Sequence, residues 1–474
     1  MNKIIISIAA IAIIAFSSCQ DFLIEKPLLG QSSTIILSSY DGLNKATTGI
    51  YSYISHSSWY GADYVLDAEM RSGNGKRNLE YESGRATGAY NWNYSPTGTS
   101  GFWGTGYAAI YAANNIIENL SDDIATGGVT VQDLDNLKAE CLFIRALAHF
   151  DLVKLFAQSY TSKATPLGIP YMKSIDPALK PARNTVQEVF DYIVEDLLEA
   201  EKIIDPNYKR SGVSDSKAVV SLPVIQALLS RAYLYMGKWQ DCANYATLVI
   251  NNKSFSMWQA DELEDVWTID LPSGGEVIFE MYGAGGNSND PYWDGTTWMT
   301  DFEGYGDVAS SDDLMKLYSD DDVRKKLFKS PEKNPNLFWT TKYNGKGKRT
   351  PDVNNTIILR LSEMYLNRAE ALANGANIAG RSAVTDLNEI LKNRNAKLLE
   401  SAGLDGIFDE RRKELAWEGH LVFDLSRAGK KLERNDYTGE TVNQNIDYPS
   451  YKWALPISQA ERDVNLNLEQ NPGY

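Results

Sequence analysis

The stretch ALLSRAYLYMGKWQDCANYATLVI, residues 227–250, decides the fold. Up to Met236 its apolar residues recur three and four positions apart, which places them on one face of a helix. Gly237 breaks this pattern, as glycine commonly does where a helix ends. Ala243 and Ala246 then resume the same spacing with small side chains. The stretch therefore predicts two helices that are joined by a tight turn and pack closely.

This arrangement is close to the tetratricopeptide pattern, in which successive helical pairs stack because no single pair can close a core. Thr185 and Glu188 form a capping-box signature at the start of another helix. Further stretches show helical spacing: 109–120, 134–155, 189–200, 357–373 and 382–394. The predicted fold class is mainly α, a scaffold of tetratricopeptide-like helical pairs over about 104–253 and 355–430.

Two aromatic stretches, about 59–104 and 267–306, lack helical spacing and together hold six of the eleven Trp residues among many glycines. Irregular segments of this length in a compact domain are usually functional. Val277–Met281 is a strand candidate within the second stretch. We call the surface that these stretches are expected to build the loop-rich face.

Composition restricts the function classes. The formal net charge of -16 lacks the basic footprint that phosphate backbones require, which argues against nucleic acid as a partner. Three His and three Cys residues leave little material for imidazole sites or disulfide scaffolds. Cys141 and Cys242 fall in predicted helices and are expected to be free, buried thiols rather than a bridge.

Catalytic signatures are missing from the sequence. It holds no phosphate-binding loop, no nucleophile elbow and no H-E-x-x-H zinc motif. Asp320–Asp322 could bind a cation, but a solvated acidic turn is the favoured interpretation. We therefore expect no catalytic residue, no metal and no cofactor, while a glycosidase-type carboxylate pair stays open.

The first residues predict export and lipidation. Lys3 precedes a mainly apolar run, Ile4 to Phe16, that is too short to span a bilayer. Two serines and Cys19 follow, as in a bacterial lipobox. We expect residues 1–18 to be a signal peptide, Cys19 to be acylated, and 19–474 to form one domain on a lipid tether.

Three blocks of sequence resemble the SusD/RagB family of outer-membrane lipoproteins. They are CQDFLIEKP at 19–27, ERRKELAWEGHLVFDLSR at 410–427 and the closing EQNPGY at 469–474. One departure is visible: the family usually has Arg two positions after Gly419, where this chain has Leu421, which puts in doubt an ion pair local to Glu418 or Asp424. We interpret the block at 410–427 as structural, with Trp417 packing inward.

The resemblance implies a scaffold of four tetratricopeptide-like helical pairs with a loop-rich ligand-binding face. It implies a cell-surface lipoprotein of the outer membrane that acts as a lid on a SusC-like TonB-dependent transporter. In that arrangement the protein binds a glycan without cleaving it and delivers it to the transporter, against which the scaffold packs.

The candidate ligand-binding residues follow from residue type and position in the two aromatic stretches. Flat aromatic rings cover the apolar face of a sugar, and amide, carboxylate and guanidinium groups bond its hydroxyl rim. The predicted aromatic contacts are Trp92, Tyr94, Tyr292, Trp293 and Trp298. The predicted polar contacts are Asn74, Arg71, Asp290 and Asp294. Trp103 adjoins a helical stripe and is expected in the core.

Two alternatives stay open. RagB-type members are thought to serve peptide uptake, and Tyr and Trp also bind peptides. An all-helical glycoside hydrolase is the second alternative, but it would need more numerous and evenly repeated hairpins, and it would leave the closing block unexplained.

Overall fold

Helices provide most of the regular structure of the chain. The computed structural model describes residues 36–81, 83–98, 100–162, 165–211, 213, 216–269, 275–283, 295–345 and 354–474. The helices are α1 (Tyr40–Ile54), α2 (Asp63–Ser72), α3 (Thr87–Tyr90), α4 (Phe102–Asn119), α5 (Val131–Phe156), α6 (Val186–Ile203), α7 (Leu222–Met236), α8 (Trp239–Ile250), α9 (Gly295–Thr300), α10 (Asp312–Met315), α11 (Leu361–Ala373), α12 (Ala383–Lys392), α13 (Leu404–Glu414), α14 (Leu421–Arg427) and α15 (Gln459–Val464). The strands are β1 (Gly75–Arg77), β2 (Val277–Met281), β3 (Val308–Ser310), β4 (Phe328–Lys329), β5 (Trp339–Thr340) and β6 (Thr356–Arg360).

The hairpin of α7 and α8 confirms the prediction for 227–250. Gly237 ends α7 in the left-handed region at φ +67°, a conformation that residues with a Cβ rarely adopt. Its backbone N–H donates to the Leu234 carbonyl at 3.1 Å. Ala232, Ala243 and Ala246 are fully buried, so the two helices approach closely.

The scaffold is a stack of such helices. α4 packs on α5, α5 on α6, α7 on α8, α8 on α11, and α11 on α12. The predicted capping box is present at α6: the Glu188 N–H donates to Thr185 Oγ1, and the Thr185 N–H donates to Glu188 Oε2 at 2.8 Å. The mainly α, tetratricopeptide-like fold class is therefore confirmed.

One helix begins later than predicted. Residues 356–360 form strand β6, and α11 starts only at Leu361. The run TIIL is apolar throughout, so its spacing fits a buried strand as well as a helix face. Residues 356–360 pair with β2, the strand that the sequence indicated, and this pairing favours a strand over a helix.

Within the described residues, three two-stranded antiparallel sheets lie beside the scaffold. β1 pairs with β3 with Gly75 opposite Ser310 and Arg77 opposite Val308. β2 pairs with β6, and β4 pairs with β5. The first of these sheets carries the connections that form the site described below.

A cluster of buried charges joins the scaffold to the sheets, and we call it the Glu414 network. The Glu414 carboxylate accepts from Arg394 Nη2 at 2.7 Å, Arg360 Nη1 at 2.7 Å and Arg324 Nη1 at 2.9 Å. Arg394 and Arg360 also share Glu276. Burial alone would raise the pKa of Glu414, but the three guanidinium groups outweigh it and hold the pKa well below its usual range.

The network resolves the departure at Leu421. Glu418 pairs with Arg360 Nε at 2.7 Å and with Lys342 Nζ at 2.6 Å. Asp424 pairs with Arg411 and with Arg427, at 2.8 Å each. Cations from other segments thus satisfy Glu418, whereas Asp424 pairs with cations of its own block, and Leu421 packs in the core.

Trp417 ties this block to the first sheet. The side chain is fully buried, as predicted, and its indole Nε1 donates to Ser310 Oγ at 2.8 Å. Its backbone lies in the left-handed region at φ +67°, a strained conformation that persists where surrounding packing determines it. The block at 410–427 is therefore structural.

Two of the three cysteines lie in the scaffold helices α5 and α8. Cys141 and Cys242 are free and buried, as expected. Within the described part of the chain, every helix is too short or too polar to cross a bilayer.

The Glu414→Gln substitution should destabilise the protein strongly. It leaves three buried guanidinium groups without their shared charge, and breaking a buried charge cluster costs about 3–5 kcal/mol. Urea unfolding followed by circular dichroism measures the loss. Asp41→Asn, which removes an ion pair with both side chains more than 70% exposed, is the control and should cost at most about 1 kcal/mol. Equal effects of the two substitutions would contradict the role of the network.

Candidate functional site on the loop-rich face

Two aromatic rings form the centre of the site. Trp298 lies in the short helix α9 and Tyr305 in the loop after it, and their ring centroids are 5.5 Å apart at 38°. The Tyr305 N–H donates to the Trp298 carbonyl at 2.9 Å, which closes the loop. Gly304 permits the closure, because a Cβ there would lie 2.8 Å from the same carbonyl oxygen. Both side chains are half-buried, so each keeps part of its surface exposed.

A guanidinium group covers one of these rings. The Arg85 side chain is 43% exposed, and its guanidinium carbon lies 4.1 Å from the Tyr305 centroid, a cation–π distance. Arg85 Nη1 donates to Asp307 Oδ2 at 2.8 Å, and the Ser83 hydroxyl donates to Asp307 Oδ1. The Asp307 carboxylate is nearly buried and fixes both partners.

The neighbouring strands hold this arrangement in place. The Asn78 N–H donates to the Asp307 carbonyl at 2.9 Å, and Asn78 Nδ2 donates to the Gly306 carbonyl at 3.0 Å. Asn78 follows β1 directly, and Asp307 precedes β3. The sheet β1–β3 therefore fixes the two loops against each other before any ligand arrives.

We call Trp298, Tyr305, Arg85, Asp307 and Ser83 the loop surface. It combines a pair of aromatic faces with a guanidinium–carboxylate pair at its edge. Such a surface suits a ligand that is apolar on one face and rich in hydroxyl groups at its rim. The carboxylate of the loop surface accepts from Arg85 and Ser83, so its position is fixed.

The predicted ligand contacts of Trp92 and Arg71 are wrong, because the structure places both side chains in the interior. Trp92 is 2% exposed, donates from Nε1 to the Arg71 carbonyl at 3.0 Å, and packs edge-on against Trp453. The Arg71 guanidinium lies 4.7 Å from the Trp92 ring, and its Nη2 donates to the Trp453 carbonyl. Neither side chain offers a surface to a ligand.

The predicted ligand contact of Asn74 is also wrong, because its side chain is buried. It is 1% exposed, donates to Glu69 and accepts from Arg412 Nε, both at 2.9 Å. Tyr94 is half-buried over Arg71, with its hydroxyl oxygen buried. Burial raises the pKa of Tyr94 above its usual value. Asn74 anchors its loop to the core, whereas the Tyr94 ring keeps part of its surface exposed and its contact with a ligand stays a prediction.

Among the described residues of the second aromatic stretch, the candidate Trp298 keeps part of its surface exposed. Trp298 is part of the loop surface, whereas four predicted residues lie outside the described residues: Tyr292, Trp293, Asp290 and Asp294. Arg85 and Tyr305 were missed among the contacts. Glycines at 304 and 306 flank Tyr305, and this spacing was a signal for a ring displayed on a tight turn.

Several aromatic residues of the first stretch serve the core. Trp59 Nε1, the Tyr60 hydroxyl and the Tyr64 hydroxyl all donate to the buried Asp151 carboxylate, at 2.7–2.9 Å. Trp103 is 5% exposed and packs against Phe156, as predicted. Helix α2 within this stretch contradicts the expectation that it lacks helical structure.

Two of the three carboxylates in the acidic turn at 320–322 pair with cations of the protein. The buried Asp322 forms an ion pair with Arg324 at 2.6 Å, and the exposed Asp320 pairs with Lys325 at 2.6 Å. Asp322 therefore differs from the solvated side chain that the turn was expected to present. Among the described residues, no three His, Cys, Asp or Glu side chains are grouped to hold a metal ion.

Two carboxyl groups on α2 titrate unusually. Burial raises the pKa of Asp63 to about 6. Burial also raises the pKa of Asp67 to about 7, with a further increase from the charge of Asp63 and a decrease from Arg71. The positions are one turn apart on the same helix face, where like charges repel. They contribute a pH-dependent strain to α2 beside the core residues described above.

Comparison with known proteins decides the family. A SusD-like model described as starch-binding and associating with the outer membrane matches residues 21–235, and the SusD family model matches residues 329–474. A SusD superfamily protein of Bacteroides thetaiotaomicron is 30% identical with a TM-score of 0.81, over 92% of this chain and all of that one. The chain belongs to the SusD family.

Other SusD-type proteins are similar over nearly the whole length. SusD-like protein P2 of Formosa agariphila is 26% identical, over 91% of this chain and 92% of that protein. Surface glycan-binding protein A of Bacteroides thetaiotaomicron, solved in complex with laminarihexaose, has a TM-score of 0.72 at 19% identity, over 90% of this chain and 98% of that one. The last likeness shows the shared SusD fold.

Trp92→Ala should destabilise this SusD-family chain rather than disable a surface. Removing a buried indole from its contacts with Arg71 and Trp453 is expected to cost about 3–5 kcal/mol in the free energy of unfolding. Thermal and urea unfolding measure the loss. Tyr111→Ala, at a ring that is 52% exposed on α4, is the control and should stay within about 0.5 kcal/mol. An unfolding free energy that Trp92→Ala leaves unchanged would show that the side chain is not core.

Asp67→Asn should stabilise the protein in a pH-dependent way. The pKa of Asp67 rises from 3.8 to about 7 on folding, so the folded state binds more protons between these values and loses stability as the pH increases through them. Asparagine does not ionise and removes this loss. We expect Asp67→Asn to be more stable than the parent by about 1–3 kcal/mol at pH 8.

The advantage should disappear near pH 4, where the parent carboxyl is protonated in the folded state. Asp261→Asn, at an exposed position, is the control and should show no pH-dependent difference. A stability difference for Asp67→Asn that is constant from pH 4 to pH 8 would contradict the raised pKa.

Proposed function

We propose that this protein is a non-catalytic, cell-surface glycan-binding lipoprotein. It captures an oligosaccharide or polysaccharide on the loop surface and delivers it to a SusC-like TonB-dependent transporter in the outer membrane. The observation that carries the proposal is the Trp298–Tyr305 pair, half-exposed and bordered by the Arg85–Asp307 pair.

The chemistry of a sugar ring matches this surface. The Trp298 ring offers a platform for the C–H face, worth about 0.5–1.5 kcal/mol by analogy with aromatic pairs, and the Arg85 guanidinium covers the Tyr305 ring beside it. The Asp307 carboxylate holds the Arg85 guanidinium in place and is itself held by Ser83, so little ordering cost remains when Arg85 donates to hydroxyl groups. The expected affinity is in the mM to μM range, or about 4–8 kcal/mol, which suits a protein that must release its cargo.

Two comparisons support the same ligand class. The family model that matches the first half of the chain is described as starch-binding, and a structural relative was solved with laminarihexaose bound. Family membership supports delivery to a transporter and the absence of catalysis. The predicted signal peptide over 1–18 and acylation at Cys19 provide the tether to the outer membrane.

Affinity electrophoresis tests the proposal. The purified protein is run through native gels that contain laminarin, starch, xylan, galactomannan or pectin, and we expect at least one polysaccharide to retard it. Trp298→Ala and Arg85→Ala should each weaken that retardation at least tenfold, because each removes part of the surface that contacts the sugar. Tyr111→Ala, an exposed ring on α4, is the matched control and should migrate like the parent.

Reducing-end assays and peptide binding provide the contrary outcomes. We expect no release of reducing ends from the polysaccharide that retards the protein. Release of reducing ends would indicate that the protein is a hydrolase. Unchanged migration across the panel, together with tight binding of oligopeptides, would indicate a peptide receptor instead.

A further inference from the structure

A concave site on the scaffold is lined by residues outside the loop surface. The cavity has a volume of about 480 Å³ and opens where α7, α11 and α14 end and where α8 and α13 begin. We call it the scaffold cavity. Ligand pockets in proteins generally have volumes of about 300–1,000 Å³. None of its lining residues belongs to the loop surface, so the two sites are built from different parts of the chain.

Two aromatic side chains form walls of the cavity. Trp239 and Phe408 are half-buried, and each packs against the main core while it also lines the cavity. One side of each ring is thus fixed by the core, and the ring presents apolar surface to the space. The buried Leu234 lines the cavity beside them and adds to its apolar surface. Trp239 has no hydrogen-bond partner for its indole N–H among the described residues, so this donor is available to a ligand.

The charges around the cavity neutralise one another. Arg427 donates to both carboxylate oxygens of Glu370, at 2.5 and 2.8 Å. Lys430 Nζ pairs with Asp405 at 2.7 Å, and this ammonium group lies 5.1 Å from the Phe408 centroid. Two cations and two anions leave no net charge among the lining residues. A charged ligand would therefore find no countercharge, whereas hydroxyl groups would find both donors and acceptors.

We propose that the scaffold cavity binds a neutral saccharide of one or two rings. The Trp239 ring provides the platform for the C–H face, and its N–H, the exposed Asp405–Lys430 pair and the Asn374 amide face the hydroxyl groups. The volume limits the ligand to a small sugar and excludes an extended chain. This site does not depend on the glycan site proposed above, because it shares no residue with the loop surface.

Ligand-observed saturation-transfer NMR tests the inference. The background is the Trp298→Ala/Arg85→Ala double variant, in which the loop surface is disabled. The probes are glucose, galactose, mannose, xylose, maltose, cellobiose and xylobiose, with the tripeptide Ala-Ala-Ala as a separate arm. We expect saturation transfer to at least one sugar, with a dissociation constant in the mM range.

Two further substitutions in that background locate the binding. Trp239→Ala removes the platform, and Ala428→Arg fills the cavity from an exposed position without removing a core contact. Each substitution should weaken binding of the sugar at least tenfold. Ala428→Arg keeps the test valid if the Trp239→Ala variant does not fold. Tyr111→Ala in the same background is the control and should bind like the double variant.

Three results would overturn the inference: no transfer to any sugar of the panel, transfer that persists in Ala428→Arg, or cavity-dependent transfer to the tripeptide alone. Failure of the proposed function is separate, since it is observed as loss of polysaccharide retardation in the parent protein. Binding of a small sugar to the double variant would support the scaffold cavity even if no polysaccharide retarded the parent protein.

Discussion

The structure depends on a carboxylate that is shared by three buried guanidinium groups. The Glu414 carboxylate forms ion pairs with Arg324, Arg360 and Arg394, which come from three separate segments of the chain. Removing these charges from water is costly, and only close pairing with complete hydrogen bonding offsets the cost. Because each partner has a defined position around one carboxylate, the network fixes where the sheets and the scaffold meet.

This constraint extends to the surface through a short series of contacts. Three residues after Glu414, Trp417 donates to Ser310 at the end of β3, and the loop with Tyr305 and Asp307 leads into that strand. Asn78, just after the paired strand β1, bonds the same loop. The aromatic pair is therefore positioned by a rigid interior, which lowers the ordering cost of binding a weakly held ligand.

Local features of this chain could be predicted from its sequence. The capping box at Thr185, the helix end at Gly237 and the inward packing of Trp417 each depend on near neighbours, and all three are present. The partners of Glu418 could not be predicted, since Lys342 and Arg360 come from other segments of the chain, whereas Asp424 pairs within its own block. Residue type likewise did not reveal that Trp92 is buried and Trp298 half-exposed, because a tryptophan in an irregular segment has no spacing that indicates its side.

The central claim is that Trp298, and not the buried tryptophans, contacts the glycan. Fluorine NMR of the protein labelled with 5-fluorotryptophan tests it most directly, with the Trp298 resonance assigned by Trp298→Phe. On titration with the polysaccharide that retards the protein, we expect the Trp298 resonance to shift while those of Trp92, Trp339 and Trp417 stay in place. A shift of the Trp92 resonance with Trp298 unchanged would contradict it.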